Sequence, residues 1–198
     1  MNFSLSKSKI LHSDTIYEDD FLTPTWEITN SPTEQSFVKD SYYWMENKTT
    51  TRWMFYHQKM PKVENFYLTT EIELLEHPGY GQFGLVWGFN KKHETLNRFS
   101  LSADSPRFSI CQFDKDHNRV YHRFTDKYKK PKTNKIKLSI VLIGDYYSFY
   151  LLGNPQPVYI CHKAHMNLNG SRFGFYVEPG IMIRADKITM KRLIIDKG

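Results

Sequence analysis

The sequence is poor in the features that announce a chemistry. It holds two cysteines, Cys111 and Cys161, which define no disulfide framework. Each lies in an apolar run, so two small buried thiols are expected, with a single bridge between them left open. No stretch approaches the ~20 apolar residues of a membrane-spanning helix. The opening MNFSLSKSKILHSD has no apolar core of signal-peptide length. The expectation is therefore a soluble protein with no membrane span, cytoplasmic where Met1 is the native start. Gly-x-Ser-x-Gly, P-loop and dinucleotide fingerprints are absent. So are low-complexity tracts, strong repeats and any composition break that would divide the 198 residues. One domain over 1–198 is expected.

Helical periodicity is missing too: no window keeps a 3.6-residue apolar repeat for three turns. Aromatic residues, by contrast, make up 16% of the chain, with 14 Phe, 13 Tyr and 4 Trp. Such residues suit pleated, half-buried surfaces. FYLTTEIELLE alternates Phe66, Leu68, Thr70, Ile72 and Leu74 with Tyr67, Thr69, Glu71 and Glu73, the period of a half-buried strand. NRFSLSA, IKLSIVLI and DYYSFYLL repeat the pattern, and RFSICQF and RVYHRF flank DKDHN as a hairpin. Turn residues recur every 8–12 positions. An all-β sandwich of two antiparallel sheets with very little helix is the predicted fold class.

The segment GQFGLVWGFN raises a separate question, because glycine weakens a strand interior. Alternation puts Phe83, Leu85, Trp87 and Phe89 on the core face. Gly84, Val86 and Gly88 then face solvent or a crossing neighbour.

The order of these pieces resembles the concanavalin A-like lectin/glucanase superfamily, in particular its bacterial laminin-G-like and 3-keto-disaccharide-hydrolase-like branches. The pieces are DDFLTPTWEI, a strand opening NFYL, FGLVWGF, RFSLS, the hairpin IKLSIVLIGDYYSFYLLGN and the closing RFGFYVEPGIMIRADKITM. They span about residues 18–195. The resemblance implies a jelly roll with one curved sheet, and speaks for fold more than for activity. The chain departs from the pattern in YLLGN, where Asn154 follows Gly153, and in Lys187, which stands after Asp186 where an Asn often follows.

Within that resemblance the sharpest catalytic possibility is EIELLE. Laminarinase-type members carry a nucleophile and an acid/base glutamate on one strand, and Glu71, Glu73 and Glu76 fit the longer spacing with Glu in place of a middle Asp. In an unbulged strand Glu71 and Glu76 face opposite ways, so the motif needs a bulge. A solvent-facing Glu71 and Glu73 is the plainer reading. Catalysis is kept as the alternative, a glycoside hydrolase.

The favoured function is non-catalytic recognition of a carbohydrate or glycan-bearing partner on the concave face, with a protein-binding module as a further alternative. Trp44, Trp53 and Tyr56 are the candidate stacking rings for pyranose C–H faces, and Gln82, Arg98 and Arg52 the candidate hydroxyl-binding groups. Trp87 is expected in the core. Asp114, Asp116 and Asn118 open like a calcium loop, but Arg119 and Thr125 stand where it needs Gly and Glu. A turn is favoured there, and calcium is kept only as a weak expectation. His162 and His165 beside Cys161 form no metal-ligand set. The net charge of +6 gathers in DKYKKPKTNKIK, with six lysines against one aspartate, read as a solvated connection. Nucleic-acid binding would want arginines and exposed aromatics there. Asn47 in NKT is a glycosylation sequon.

Overall fold

The computed structural model describes residues 10–51, 53–90, 92, 95–113, 119–125, 128–129, 133–166 and 170–196, with Phe55 and 119–125 as backbone only. The strands in chain order are β1 (Ile10–Asp19), β2 (Thr29–Asn30), β3 (Glu34–Lys39), β4 (Tyr42–Asn47) and β5 (Met54–Lys59). They continue with β6 (Phe66–Glu76), β7 (Gln82–Asn90), β8 (Thr95–Ser102), β9 (Phe108–Phe113) and β10 (Arg119–Thr125). The last five are β11 (Lys135–Ile143), β12 (Tyr146–Leu151), β13 (Tyr159–His162), β14 (Arg172–Val177) and β15 (Met182–Ile195).

Antiparallel pairing gathers these strands into two sheets. One is nine-stranded in the order β13-β12-β11-β6-β15-β4-β3-β2, with β1 on the far part of β15; the other is six-stranded in the order β10-β9-β8-β7-β14-β5. Among the described residues the helical content is one 3₁₀ turn, Lys163–His165. No helix there is long and apolar enough to cross a membrane. The predicted jelly-roll sandwich of two antiparallel sheets is the observed fold.

Alternation explains why the sheets stack. On β6, Phe66, Leu68, Ile72 and Leu74 are buried, and so are Leu138, Ile140 and Leu142 on β11. They meet Phe83, Leu85, Trp87, Phe99, Leu101, Phe173 and Phe175 from the six-stranded sheet in one core. Apolar burial at about 25 cal/mol per Å² makes this layer the main stabilising term.

The chain entry is pinned by a polar hub. Asp19, 8% exposed, accepts from the Phe21 amide at 2.8 Å, from the Trp26 indole at 3.1 Å and from the Thr25 hydroxyl. These bonds hold Phe21 at a φ of 56°, a backbone region that a bulky residue rarely adopts. The DDF…W opening is thus a loop clasp that drops Phe21 and Trp26 against Tyr43.

Two expectations for GQFGLVWGFN need correction. Gly88 has a φ of +62°, and the β7–β8 register slips between Trp87 and Asn90. This bulge reverses the alternation, so Phe89 leaves the core face and joins Val86 on the other side. Nor is that side open to solvent: Val86 is fully buried. Gly84 answers to a close approach, because a Cβ there would sit 2.2 Å from the Phe99 carbonyl oxygen.

Both cysteines are buried and not bridged to each other, on strands of different sheets. Asn47 is fully buried and donates to the Val177 carbonyl at 2.9 Å, so a glycan on this side chain would be incompatible with the fold. The lysine-rich run is not all connection, since Lys135 and Lys137 belong to β11. Asp114, Asp116, Asn118 and Arg52 lie outside the described residues.

Candidate functional site

The outer face of the six-stranded sheet carries a second, smaller cluster. Val86, Phe89, Leu96, Cys111, Phe113 and Tyr176 pack there, with half-buried Trp53 laid against them. The register explains the gathering. Val86 lies beside Arg98 across β7 and β8, Arg98 beside Cys111 across β8 and β9, and Ser100 beside Ser109 one step along. Since strand residues of equal parity share a face, these side chains form two adjoining rows.

Arg98 is the centre of the face and is only 2% exposed. Its guanidinium carbon lies 4.3 Å from the Tyr176 ring centre, 5.0 Å from that of Phe113 and 5.8 Å from that of Trp53. Rings on several sides stabilise the desolvated cation through their negative faces. One terminal nitrogen, Nη2, donates to Gln82 Oε1 at 3.2 Å and lies 3.8 Å from Cys111 Sγ. The same Gln82 oxygen accepts from Ser100 at 2.8 Å and Ser109 at 3.0 Å. The counter-charge is Glu178, 3.6 Å from Nη1. Glu178 also accepts from the Tyr176 hydroxyl. Burial, above all, keeps the Tyr176 phenol protonated well above its usual range.

One feature of this cluster is unbalanced. The Nε and Nη1 donors of Arg98 are buried and meet no hydrogen-bond acceptor among the described residues. A buried, unanswered donor is costly, and in native proteins it calls for an explanation.

The sequence-predicted residues divide among three places. Trp53, Gln82 and Arg98 come together here. Tyr56 does not: it is buried between the sheets, its ring against Tyr43 and its hydroxyl donating to the Glu46 carbonyl at 3.0 Å. Its odd–even position in β5 points inward, which removes it from any surface platform. Trp44 lies on the nine-stranded sheet, stacked on Phe37 at 5.6 Å, with the Arg184 guanidinium 5.1 Å from its ring centre. Trp44 and Trp53 flank the same turn but serve opposite sheets. Trp87 is in the core, as expected.

Of the glutamates, Glu73 is held by Arg184, whose Nε and Nη2 donate at 2.8 and 2.7 Å. Glu71 is exposed one pair further along the outer face, between Lys137 and Lys187 in register. The bulge that the catalytic motif would need is present, since the register slips between the Leu74–Ile183 and Glu76–Met182 pairs. Glu76 nevertheless does not line the hollow beside Glu71, which is shared with Glu18 and Asp186. His162 accepts from the Ala164 amide at 3.1 Å and caps the 3₁₀ turn. No cluster of three or more potential metal ligands occurs among the described residues.

Glu178, Tyr176, Ser100, Ser109 and Cys111 were missed by sequence reasoning. A signal existed: Arg98 and Ser100 share one parity in RFSLS, as do Ser109 and Cys111 in RFSICQF, opposite the core phenylalanines. Only the register sets the two pairs side by side.

No protein-family model matches the sequence, and no curated protein matches it. Solved structures do. A protein of unknown function with a galectin-like fold from Bacillus subtilis superposes with a TM-score of 0.65 at 10% identity, over 91% of this chain and 96% of that one. An endo-β-1,3-glucanase from Pyrococcus furiosus gives 0.62 at 9%, over 93% and 96%. The CBM2 module of the evolved Dit of Lactobacillus casei BL23 phage J-1 gives 0.61 at 12%, over 94% and 98%. The chain therefore shares the two-sheet jelly-roll fold of these structures.

Proposed function

We propose that this protein is a non-catalytic carbohydrate-binding module whose glycan site is the Trp53 edge of the six-stranded sheet's outer face. The observation that carries the reading is Arg98, a desolvated guanidinium held by aromatic rings with two donors left unanswered. Both donors lie closed off beneath the rings, so a sugar hydroxyl, a neutral acceptor, meets them as the half-buried Trp53 ring moves aside and without displacing Glu178. Half-buried Trp53 supplies a ring for the apolar C–H face of a pyranose, and Gln82 and Glu178 supply polar groups to orient it. The fold is one on which a carbohydrate-binding module and a glucanase are built, which supports a saccharide ligand. The glutamate alternative is weaker, because Glu73 is committed to Arg184 and Glu71 shares no hollow with Glu76.

The test is titration with soluble oligosaccharides followed by tryptophan fluorescence, each sample then assayed for released reducing ends. A saturable shift without product is expected, with affinity falling about tenfold in Trp53→Ala. Product formation that is lost in Glu71→Gln would overturn the non-catalytic reading. Silence across the panel would favour a protein-binding module.

A further inference from the structure

The nine-stranded sheet has a hollow on its own outer face, on the opposite side of the molecule from Trp53. Its origin is a bulge in β15: Ala185 pairs with Ile72 and Lys187 with Glu71, so Asp186 is an extra residue. Thr70, 3% exposed, donates its hydroxyl to the Lys187 carbonyl at 2.7 Å and fixes the displaced backbone. The hollow is therefore built into the sheet, and bulges of this kind re-aim side chains beside functional sites. It encloses about 390 Å³, within the range of small-ligand sites.

The lining has a distinct chemistry. Lys187 pairs with Glu18 at 2.9 Å on one rim, and Lys135 with Asp186 at 3.7 Å on the other. Between these rims Glu71 stands in register with both Lys137 and Lys187, yet neither lysine closes an ion pair with it. Lys137, Lys191 and Glu71 project into the hollow beside the hydroxyl-bearing Tyr67, Thr69 and Thr189. Three lysines and three carboxylates line it and Lys135 adds one cation at the rim, so the two signs nearly balance.

That balance selects the ligand class. An anion would be attracted by the lysines but opposed by Glu18, Glu71 and Asp186, and an acyl chain would find no aliphatic residue, only the Tyr67 ring, lysine stems and threonine methyls set among polar groups it cannot answer. A neutral polyhydroxylated molecule, each hydroxyl both donor and acceptor, can answer the alternating groups. We infer that this hollow is a second saccharide site, which binds a short neutral oligosaccharide through Glu71, Lys137 and Lys191. The inference rests on the lining and is independent of the Trp53 face.

The experiment is a ¹H–¹⁵N titration of the full chain with laminari-, cello-, malto- and manno-oligosaccharides, and separately with inorganic phosphate. Amides of Tyr67, Thr69, Lys187 and Thr189 report the hollow, and the Trp53 indole N–H reports the other face. Saturable shifts of the hollow reporters with at least one oligosaccharide are expected. Affinity should weaken about tenfold in Glu71→Gln and in Lys137→Met and persist in Trp53→Ala. Shifts confined to Trp53 would overturn this site and leave the first reading standing. Shifts confined to the hollow would do the reverse. A response to phosphate alone, or none in the hollow, would overturn the neutral-saccharide assignment, as would unchanged affinity in both charge variants.

Discussion

The indole N–H of Trp26 donates to the carboxylate of Asp19, seven residues earlier, at 3.1 Å inside the protein. The same carboxylate receives the Phe21 amide and the Thr25 hydroxyl. One short side chain thereby closes the loop between β1 and the rest of the nine-stranded sheet. Asp19→Ala leaves buried donors unanswered and releases Phe21 from its left-handed backbone. A loss of roughly 3 kcal/mol is expected, read as a lower urea midpoint with an unchanged m-value.

Alkaline pH should unfold the protein through its buried phenols. Burial, above all, pushes Tyr17 and Tyr128 up to about 12 from 10, and raises Tyr43, Tyr56, Tyr147 and Tyr176 further. A phenol that ionises near 10 in the unfolded chain but later in the fold contributes stability that is complete below pH 10. That contribution is lost as pH rises through the folded values. Phenolate absorbance should therefore rise late and cooperatively, together with loss of near-UV dichroism. Independent titration of every tyrosine near 10 would contradict the packing.

Glu178 and Arg98 should respond asymmetrically to substitution. Glu178→Gln removes the counter-charge of a buried cation and is expected to cost about 3 kcal/mol. Arg98→Met leaves Glu178 without its counter-charge, but Glu178 is partly exposed and can be hydrated, so a smaller loss of about 1–2 kcal/mol is expected. Oligosaccharide affinity at the Trp53 face should fall in both. Thermal melts paired with the same titration separate the two effects.

Gly84→Ala tests the close approach of β7 and β8. A methyl group 2.2 Å from the Phe99 carbonyl oxygen and 2.7 Å from the Ser100 Cα forces the backbone to shift. A loss of roughly 2–3 kcal/mol is expected. Hydrogen exchange should quicken at β7 and β8 and leave β11 and β12 unchanged.

The sequence by itself determined the fold class, because strand periodicity is local. The alternation in FYLTTEIELLE, IKLSIVLI and RFSLS assigned Leu68, Leu138 and Phe99 to the core, and each is fully buried. The assignment failed at Phe89, where a positive φ at Gly88 adds a residue to the ladder and reverses the parity after it. Tertiary structure alone decided the site. Trp44 and Trp53 are close in the chain yet lie on different sheets. Arg98, Gln82 and Glu178 are far apart in sequence yet meet within a few ångströms. Parity tells which face a residue takes, but cross-strand register and bulges choose its neighbours. Those are set by the packing of the whole sandwich, which no short window of sequence contains.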